Sequence, residues 1–305
     1  MSAGPSVESI LAVFAGRMAG GADKVIAFAA GHDMFRFWPA PNARDVIAFF
    51  AAGITMMLGS IPQQDVFQRV MSANSVRSAT QGPVIGGIAY IFFAFVPMFL
   101  VTSSMLIMPQ QTAQLLAGDG PLAQHILPTL VLQKMPFVMQ VIFFGALLSA
   151  IKSTASATLL APSVTFTENI WRQFRPAGAD RRNLRAMRVT VLVFSVAVLV
   201  YAIRMEGTSI YEMVSNAYQV PLVGAFVPLV CGLYWQRAST QGAVAAVVLG
   251  IAVWVLMLAT PWGEVFPAQL AGLLASIAGM VIGSLAPQWL RNVHTPHRPL
   301  AVDGV

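Results

Sequence analysis

Seven apolar runs, each close to the length of a membrane-crossing helix, constrain most strongly what this chain can fold into. A helix needs about 20 mainly apolar residues to cross the hydrocarbon core of a bilayer, where every backbone polar group must be satisfied within the protein. Hydrophobic residues make up 57% of the 305-residue chain and charged residues only 10%, a composition that excludes a soluble domain. The sequence therefore predicts an all-α polytopic membrane protein. The predicted spans are 44–61, 82–106, 137–162, 187–204, 213–235, 241–260 and 267–287.

Basic residues are distributed unevenly between the two sets of loops that alternate along these spans. One set, together with the C-terminal tail, carries eleven arginines, whereas the other carries six lysines and arginines. Loops rich in lysine and arginine stay in the cytoplasm, so the bias predicts a multi-pass protein of the cell (inner) membrane with a cytoplasmic C-terminus. It also accounts for the net charge of +6 without a nucleic-acid partner. The eleven arginines are Arg69, Arg77, Arg172, Arg175, Arg181, Arg182, Arg185, Arg188, Arg237, Arg291 and Arg298.

The third predicted span carries polar residues at membrane depth. On a helix that advances about 100° per residue, Ala150, Ser153 and Thr154 lie on one face. Two hydroxyl oxygens on that face suit a hard cation such as sodium. The alternative is that the hydroxyls bond to carbonyls of their own helix or to neighbouring helices. The residues alone leave both interpretations open.

Lys152 belongs to the same span but lies about 200° around the helix from Ala150. A lysine near the bilayer midpoint costs about 2.5–3.5 kcal/mol, so it needs a compensating interaction. Three alternatives remain open. In the first, the Lys152 ammonium replaces sodium and makes a carrier proton-coupled. In the second, Lys152 forms a structural or gating pair with a carboxylate or carbonyl. In the third, Lys152 is a neutral amine. Lys152 is therefore a candidate coupling or gating residue.

Three motifs, in order along the chain, carry a family resemblance. They are PQQDVFQRVMSA at 62–73, SAIKSTASATLLAPSVTFTENIWR at 149–172 and GAFVPLVCGLYWQRASTQGA at 224–243. Together they resemble the sodium/solute symporter family, which includes proline permease and the sodium/glucose transporters. The matching positions are Pro62, Gln63, Arg69, Ala73, Ala150, Ser153, Thr154, Glu168, Arg172, Gly224, Ala225, Pro228, Trp235, Arg237, Gly242 and Ala243.

The resemblance implies roles for particular residues. In the family, the positions of Ala150, Ser153 and Thr154 help to ligate the coupling sodium, and the position of Lys152 is usually apolar. In the family, substrate contacts come partly from the helix that matches the first predicted span here. Proline permease has aromatic residues in the region of Met56, Met57 and Ser60. Tyr218 and Gln219 are the polar side chains of their span that are best placed to face a central path. The alternative is that they form a hydrogen bond between helices. The candidate substrate-path residues are Met56, Met57 and Ser60, and Tyr218 and Gln219.

The resemblance also implies a fold. The seven spans match the second inverted repeat plus two peripheral helices of a 5+5 inverted-repeat transporter fold. Residues 1–43 would be the end of a preceding helix and an external loop, 44–287 a partial transmembrane symporter domain, and 288–305 a cytoplasmic tail. Because a transport site at a repeat interface needs both repeats, the expected partner is a missing N-terminal half, and residues 1–305 alone are expected not to transport.

The implied function is cation-coupled secondary active transport of a small organic solute, with sodium or a proton as coupling ion and no other cofactor. A membrane sensor module related to symporters and a non-transporting remnant are the alternatives. The sequence shows no nucleophile triad, phosphate-binding loop or cluster of metal ligands, so an enzyme is not expected.

Overall fold

The computed structural model describes residues 7–117, 121–174 and 180–290, and over these ranges the chain is helical without strands. Seven of the helices are long and apolar enough to cross a membrane, which confirms the predicted fold class. We number the helices α1 Val7–Met18, α2 Ala22–Gly31, α3 Ala43–Ser60, α4 Gln64–Met71, α5 Val76–Ile107, α6 Pro109–Ala117, α7 Ile126–Lys134, α8 Phe137–Phe174, α9 Asp180–Arg204, α10 Ile210–Tyr234, α11 Thr240–Ala259, α12 Trp262–Val265 and α13 Ala268–Leu285. The seven membrane-length helices are α3, α5, α8, α9, α10, α11 and α13.

Helix α5 begins before the apolar run that predicts it. It starts at Val76, six residues ahead of the predicted boundary, because the Ser75 side chain caps it by accepting a hydrogen bond from the Ser78 backbone N–H at 3.1 Å. The Asn42 side chain caps α3 in the same way through the Asp45 N–H at 2.8 Å. A side-chain cap sets the first turn of a helix regardless of hydropathy, so the hydrophobic run gives only part of the helix.

Two spans contain a π-helical segment. In α8 it covers Phe166–Trp171, and in α10 it covers Leu222–Phe226, directly after Pro221. Proline has no N–H to donate to the preceding turn, so the helix must rearrange its hydrogen bonds near Pro221. Such segments interrupt the regular ladder of an α-helix and often occur at functional sites.

The described residues form two compact units. The first comprises 7–37 and 64–213, and the second comprises 38–63 and 214–290. Each unit has its own apolar core. The first core contains Leu11, Ala15, Leu100, Met108, Leu130, Val131, Met135 and Phe143, and the second contains Leu222, Val227, Ala246, Leu273 and Met280.

Two helices, α1 and α2, precede the first span, where the sequence predicts the end of a helix and an external loop. Leu11 and Ala15 of α1 are fully buried, and the alanine-rich α2 follows where an external loop is predicted. The Gly20–Gly21 pair separates these helices with φ angles of 91° and 111°, which glycine adopts without strain. The predicted boundaries at 43/44 and 287/288 stay predictions. Most of the predicted tail, 291–305, lies outside the described residues.

Candidate functional site

The predicted cation face lies on a regular stretch of α8. Because residues 137–165 are α-helical throughout, Ala150, Ser153 and Thr154 share one face, as the sequence predicts. All three are exposed within the described part of the chain. Whether this face binds a cation stays a prediction.

Hydroxyl groups along α8 divide into two sets by their hydrogen bonds. Towards the C-terminal end of the helix, the Thr158 hydroxyl donates to the Thr154 carbonyl at 2.9 Å and the Ser163 hydroxyl donates to the Leu159 carbonyl at 2.7 Å. Nearer the middle, the side chains of Ser153 and Thr154 make no hydrogen bond with any described residue. The α8 hydroxyls that bond back to the helix are therefore not those of the predicted face. The oxygens of Ser153 and Thr154 remain available for another ligand.

Lys152 points away from this face. It is exposed, and no carboxylate lies within ion-pair distance of it among the described residues. The ion pair seen on this helix is farther along, between Glu168 and Arg172, one turn apart at the π-helical segment. Glu168 and Arg172 both match the family motif, and they pair with each other at the end of the span.

The candidate substrate-path residues of α3 flank a buried stripe. Thr55 is fully buried, and its hydroxyl donates to the Ala51 carbonyl at 2.7 Å. Beside it, Met57 is 69% exposed, whereas Met56 and Ser60 are half-buried. The Ser60 hydroxyl donates to the Met57 carbonyl at 2.8 Å. The methionines therefore offer an adaptable apolar surface next to the helix contact.

Helix α3 meets α10 where the second set of candidate residues lies. A Cβ atom added at Gly59 would be 2.4 Å from the carbonyl oxygen of Tyr218, so only glycine allows the observed approach of the two backbones. Tyr218 is half-buried at this crossing. The contact brings Met56, Ser60 and Tyr218 to one region of the second unit.

Gln219 makes the hydrogen bond between helices that is one of its two predicted roles. Its side chain is 8% exposed and accepts from the Trp254 indole N–H of α11 at 2.9 Å. Its amide also donates to the Asn216 side-chain oxygen at 3.0 Å. These two bonds hold the Gln219 side chain in one orientation, so any contact with a solute would come from the remaining amide N–H.

Glycines of two helices surround the π-helical segment of α10, a feature that sequence reasoning missed. A Cβ at Gly250 of α11 would lie 2.3 Å from the Val223 carbonyl oxygen, and one at Gly272 of α13 would lie 2.8 Å from the Val223 side chain. Pro221 was the available signal for the irregular backbone, and small residues at contacts are the rule for helices in membranes. The π-helical segment of α10 is thus packed closely against both α11 and α13.

Apart from Ala150, the candidate residues carry hydroxyl, amide, thioether and phenol side chains, with Lys152 as the one charged group among them. No group of three or more His, Cys, Asp or Glu side chains that could hold a metal ion occurs within residues 7–117, 121–174 and 180–290. The candidate cation face instead offers neutral hydroxyl oxygens, which are ligands of hard cations.

Comparisons with known proteins give a consistent picture. The sodium:solute symporter family model matches residues 9–250. The chain is 23% identical to the high-affinity choline transporter 1 of Caenorhabditis elegans, over 82% of this chain and 50% of that protein. It is 26% identical to the human high affinity choline transporter 1, over 74% of this chain and 40% of that protein. The sodium/myo-inositol cotransporter 2 of Sus scrofa is 22% identical over 62% and 30% of the two chains.

A solved structure shares the fold. The substrate-bound outward-open state of a Na+-coupled sialic acid symporter superposes with a TM-score of 0.66 at 19% identity, covering 91% of this chain and 59% of that one. The fold prediction is thereby confirmed. The chain spans half or less of the length of the curated relatives it matches here.

Proposed function

Because the chain belongs to the sodium:solute symporter family, we propose that it takes part in cation-coupled secondary active transport of a small organic solute. The observation that carries the proposal is the open hydroxyl face on α8, at the positions matching the family motif. Relatives whose names mention choline, myo-inositol, mannose and glucose support a small polar organic solute. The family that the chain belongs to is one of transporters.

In this proposal, each group of candidate residues has its own role. Ser153 and Thr154 supply hydroxyl oxygens to the coupling cation, and the backbone of Ala150 lies on the same face. Met57 and Ser60 border the solute path, with Tyr218 beside them across the helix crossing. Gln219 positions α10 against α11 through Trp254, so its part in the path is indirect.

The coupling ion is part of the proposal. Sodium is the ion named for the related symporters. Lys152 adds a positive charge one residue away from Ser153, where the family usually has an apolar residue. We therefore propose that sodium dependence is weaker here than in those relatives, because a positive charge on the same helix repels a bound cation even from the opposite face.

The proposed location is the cell (inner) membrane, with the C-terminus in the cytoplasm. The support is the excess of arginines in alternate loops, since such loops remain in the cytoplasm. Arg172, Arg185 and Arg237 are described residues of this set, and each is exposed.

A double substitution tests the cation face directly. Ser153→Ala with Thr154→Ala removes both hydroxyl oxygens from α8. Losing a contact to a charged group costs about 1.5–3 kcal/mol, so the sodium concentration that half-saturates the protein should rise about tenfold or more. Binding of radioactive sodium to the purified protein measures this without knowledge of the solute.

Thr158→Ala is the matched control. Thr158 lies one turn farther along α8, but its hydroxyl already bonds to the Thr154 carbonyl. Its removal should leave sodium binding within about twofold of the unmodified protein, well under 1 kcal/mol. Unchanged sodium binding in the double variant would overturn the assignment of this face. A solute panel of choline, myo-inositol, mannose and glucose then tests transport itself, in vesicles that hold the chain together with the expected N-terminal half.

A further inference from the structure

A groove at one end of α9 lies outside the proposed transport residues. It has a volume of about 590 Å³ and runs between the π-helical segment of α8 and the first turns of α9. The rings of Phe166 and Phe194 meet edge to face at its base, with centroids 6.2 Å apart. Val189, Val193 and Trp171 also line it. The interior of the groove is therefore apolar and shaped by aromatic rings.

One charged residue, Arg185, lines the groove. It is exposed, and no carboxylate of the described residues pairs with it. The nearby Arg172 differs, because it already pairs with Glu168. The groove therefore combines an apolar interior with a positive charge that no described carboxylate pairs.

The position of Arg185 along α9 indicates which kind of ligand fits this groove. The membrane-length part of α9 is Asn183–Arg204, so Arg185 lies in its first turn, at the depth of lipid headgroups. Trp171 is 38% exposed beside it, and tryptophan favours the boundary between membrane and water. A ligand that matches both features has an anionic head at the membrane surface and an apolar tail below it.

We propose that this groove binds one anionic glycerophospholipid, with an acyl chain along Val189 and Val193 and its phosphate at Arg185. The occupant follows from charge complementarity and depth. A zwitterionic lipid brings its own positive charge to the arginine, and a free phosphate leaves the apolar groove unused. Basic pockets between membrane helices on the cytoplasmic side are known to bind anionic headgroups.

Neighbouring arginines on α9 make the test specific. Arg185 and Arg188 are both exposed and three residues apart, but only Arg185 lines the groove. The protein is purified from mixed micelles of phosphatidylglycerol and phosphatidylcholine, and retained lipid is counted by native mass spectrometry. Arg185→Gln should lower the preference for phosphatidylglycerol about fivefold, the value of one basic residue near an anionic surface. Arg188→Gln should change it less than about twofold, and Arg185→Lys should keep it, since the charge remains.

A second pair of variants tests the apolar part. Val193→Trp fills the groove and should reduce retained phosphatidylglycerol, whereas Leu192→Trp, on the exposed surface outside the groove, should not. Soluble glycerophosphoglycerol, which lacks acyl chains, should not displace the lipid. All variants are compared at equal helical content by circular dichroism.

Three outcomes would overturn the proposal. Equal losses for Arg185→Gln and Arg188→Gln would indicate diffuse surface attraction. Full lipid retention in Val193→Trp, or displacement by the soluble headgroup, would show that the groove holds no acyl chain. Because none of these readouts depends on transport, their failure is separate from failure of the proposed function.

Discussion

The contact between Gly59 and Tyr218 supports a quantitative prediction, because the helix itself supplies a control. In Gly59→Ala, the new methyl group would lie 2.4 Å from the Tyr218 carbonyl oxygen, where ordinary contacts are 3.4–4 Å. The clash is with backbone, so turning a side chain cannot relieve it. The two helices must separate by about 1 Å, which is overpacking of the kind that costs roughly 1–3 kcal/mol.

Alanine also has an intrinsic advantage over glycine in a helix. It is worth about 1 kcal/mol in a helix interior, which offsets part of the clash. Taking the upper end of the overpacking range, the net loss for Gly59→Ala is about 2 kcal/mol. For a chain of 305 residues, that corresponds to a melting temperature lower by about 3 °C.

Gly53→Ala on the same helix provides the control. A Cβ there meets nothing within 4 Å, so the substitution should leave the melting temperature unchanged or raise it slightly. Thermal unfolding of both variants in detergent, followed by loss of the monodisperse peak in gel filtration, measures the difference. Equal melting temperatures for the two variants would refute the close approach of α3 and α10 at Gly59.

The remaining predictions concern Lys152 and Ser276. In a transporter that also contains the expected N-terminal half, replacing sodium by N-methylglucamine at constant pH should leave substantial uptake. Lys152→Ala in the same protein should lower the sodium required about fivefold, for a screened repulsion of about 1 kcal/mol. The Ser276 hydroxyl is buried without a hydrogen-bond partner among the described residues, so Ser276→Ala should raise the free energy of unfolding by about 1 kcal/mol.

Controls for these two substitutions come from the same parts of the chain. Lys134→Ala removes an exposed lysine at the end of α7 and should leave the sodium requirement unchanged. Uptake that collapses without sodium and returns only with sodium would contradict the proposed role of Lys152. Ser284→Ala on α13 removes the acceptor of the Ser239 N–H at 3.2 Å and should lower stability. A loss of stability in Ser276→Ala as well would show that its hydroxyl has a partner after all.

The hydropathy pattern was a reliable guide to the membrane-length helices and a poor guide to their ends. All seven predicted spans are present, because an apolar run of this length has few stable alternatives to a helix in a bilayer. The ends depend on other signals, such as the Ser75 cap of α5. In the same way, the shared face of Ala150, Ser153 and Thr154 follows from helix periodicity alone. The ligand of that face does not, and it stays a prediction.

Contacts between helices required the tertiary structure. Nothing in the local sequence pairs Gln219 with Trp254, which is 35 residues away, or places Gly59 against the Tyr218 carbonyl. The groove at Arg185 likewise exists only because the π-helical segment of α8 packs beside α9. The physical reason is that burial of apolar surface places a helix in the membrane, whereas helix neighbours are chosen by close packing of small residues and by single hydrogen bonds. The sequence by itself therefore determined which segments cross the membrane and which faces are polar, and the tertiary structure decided which of those faces meet.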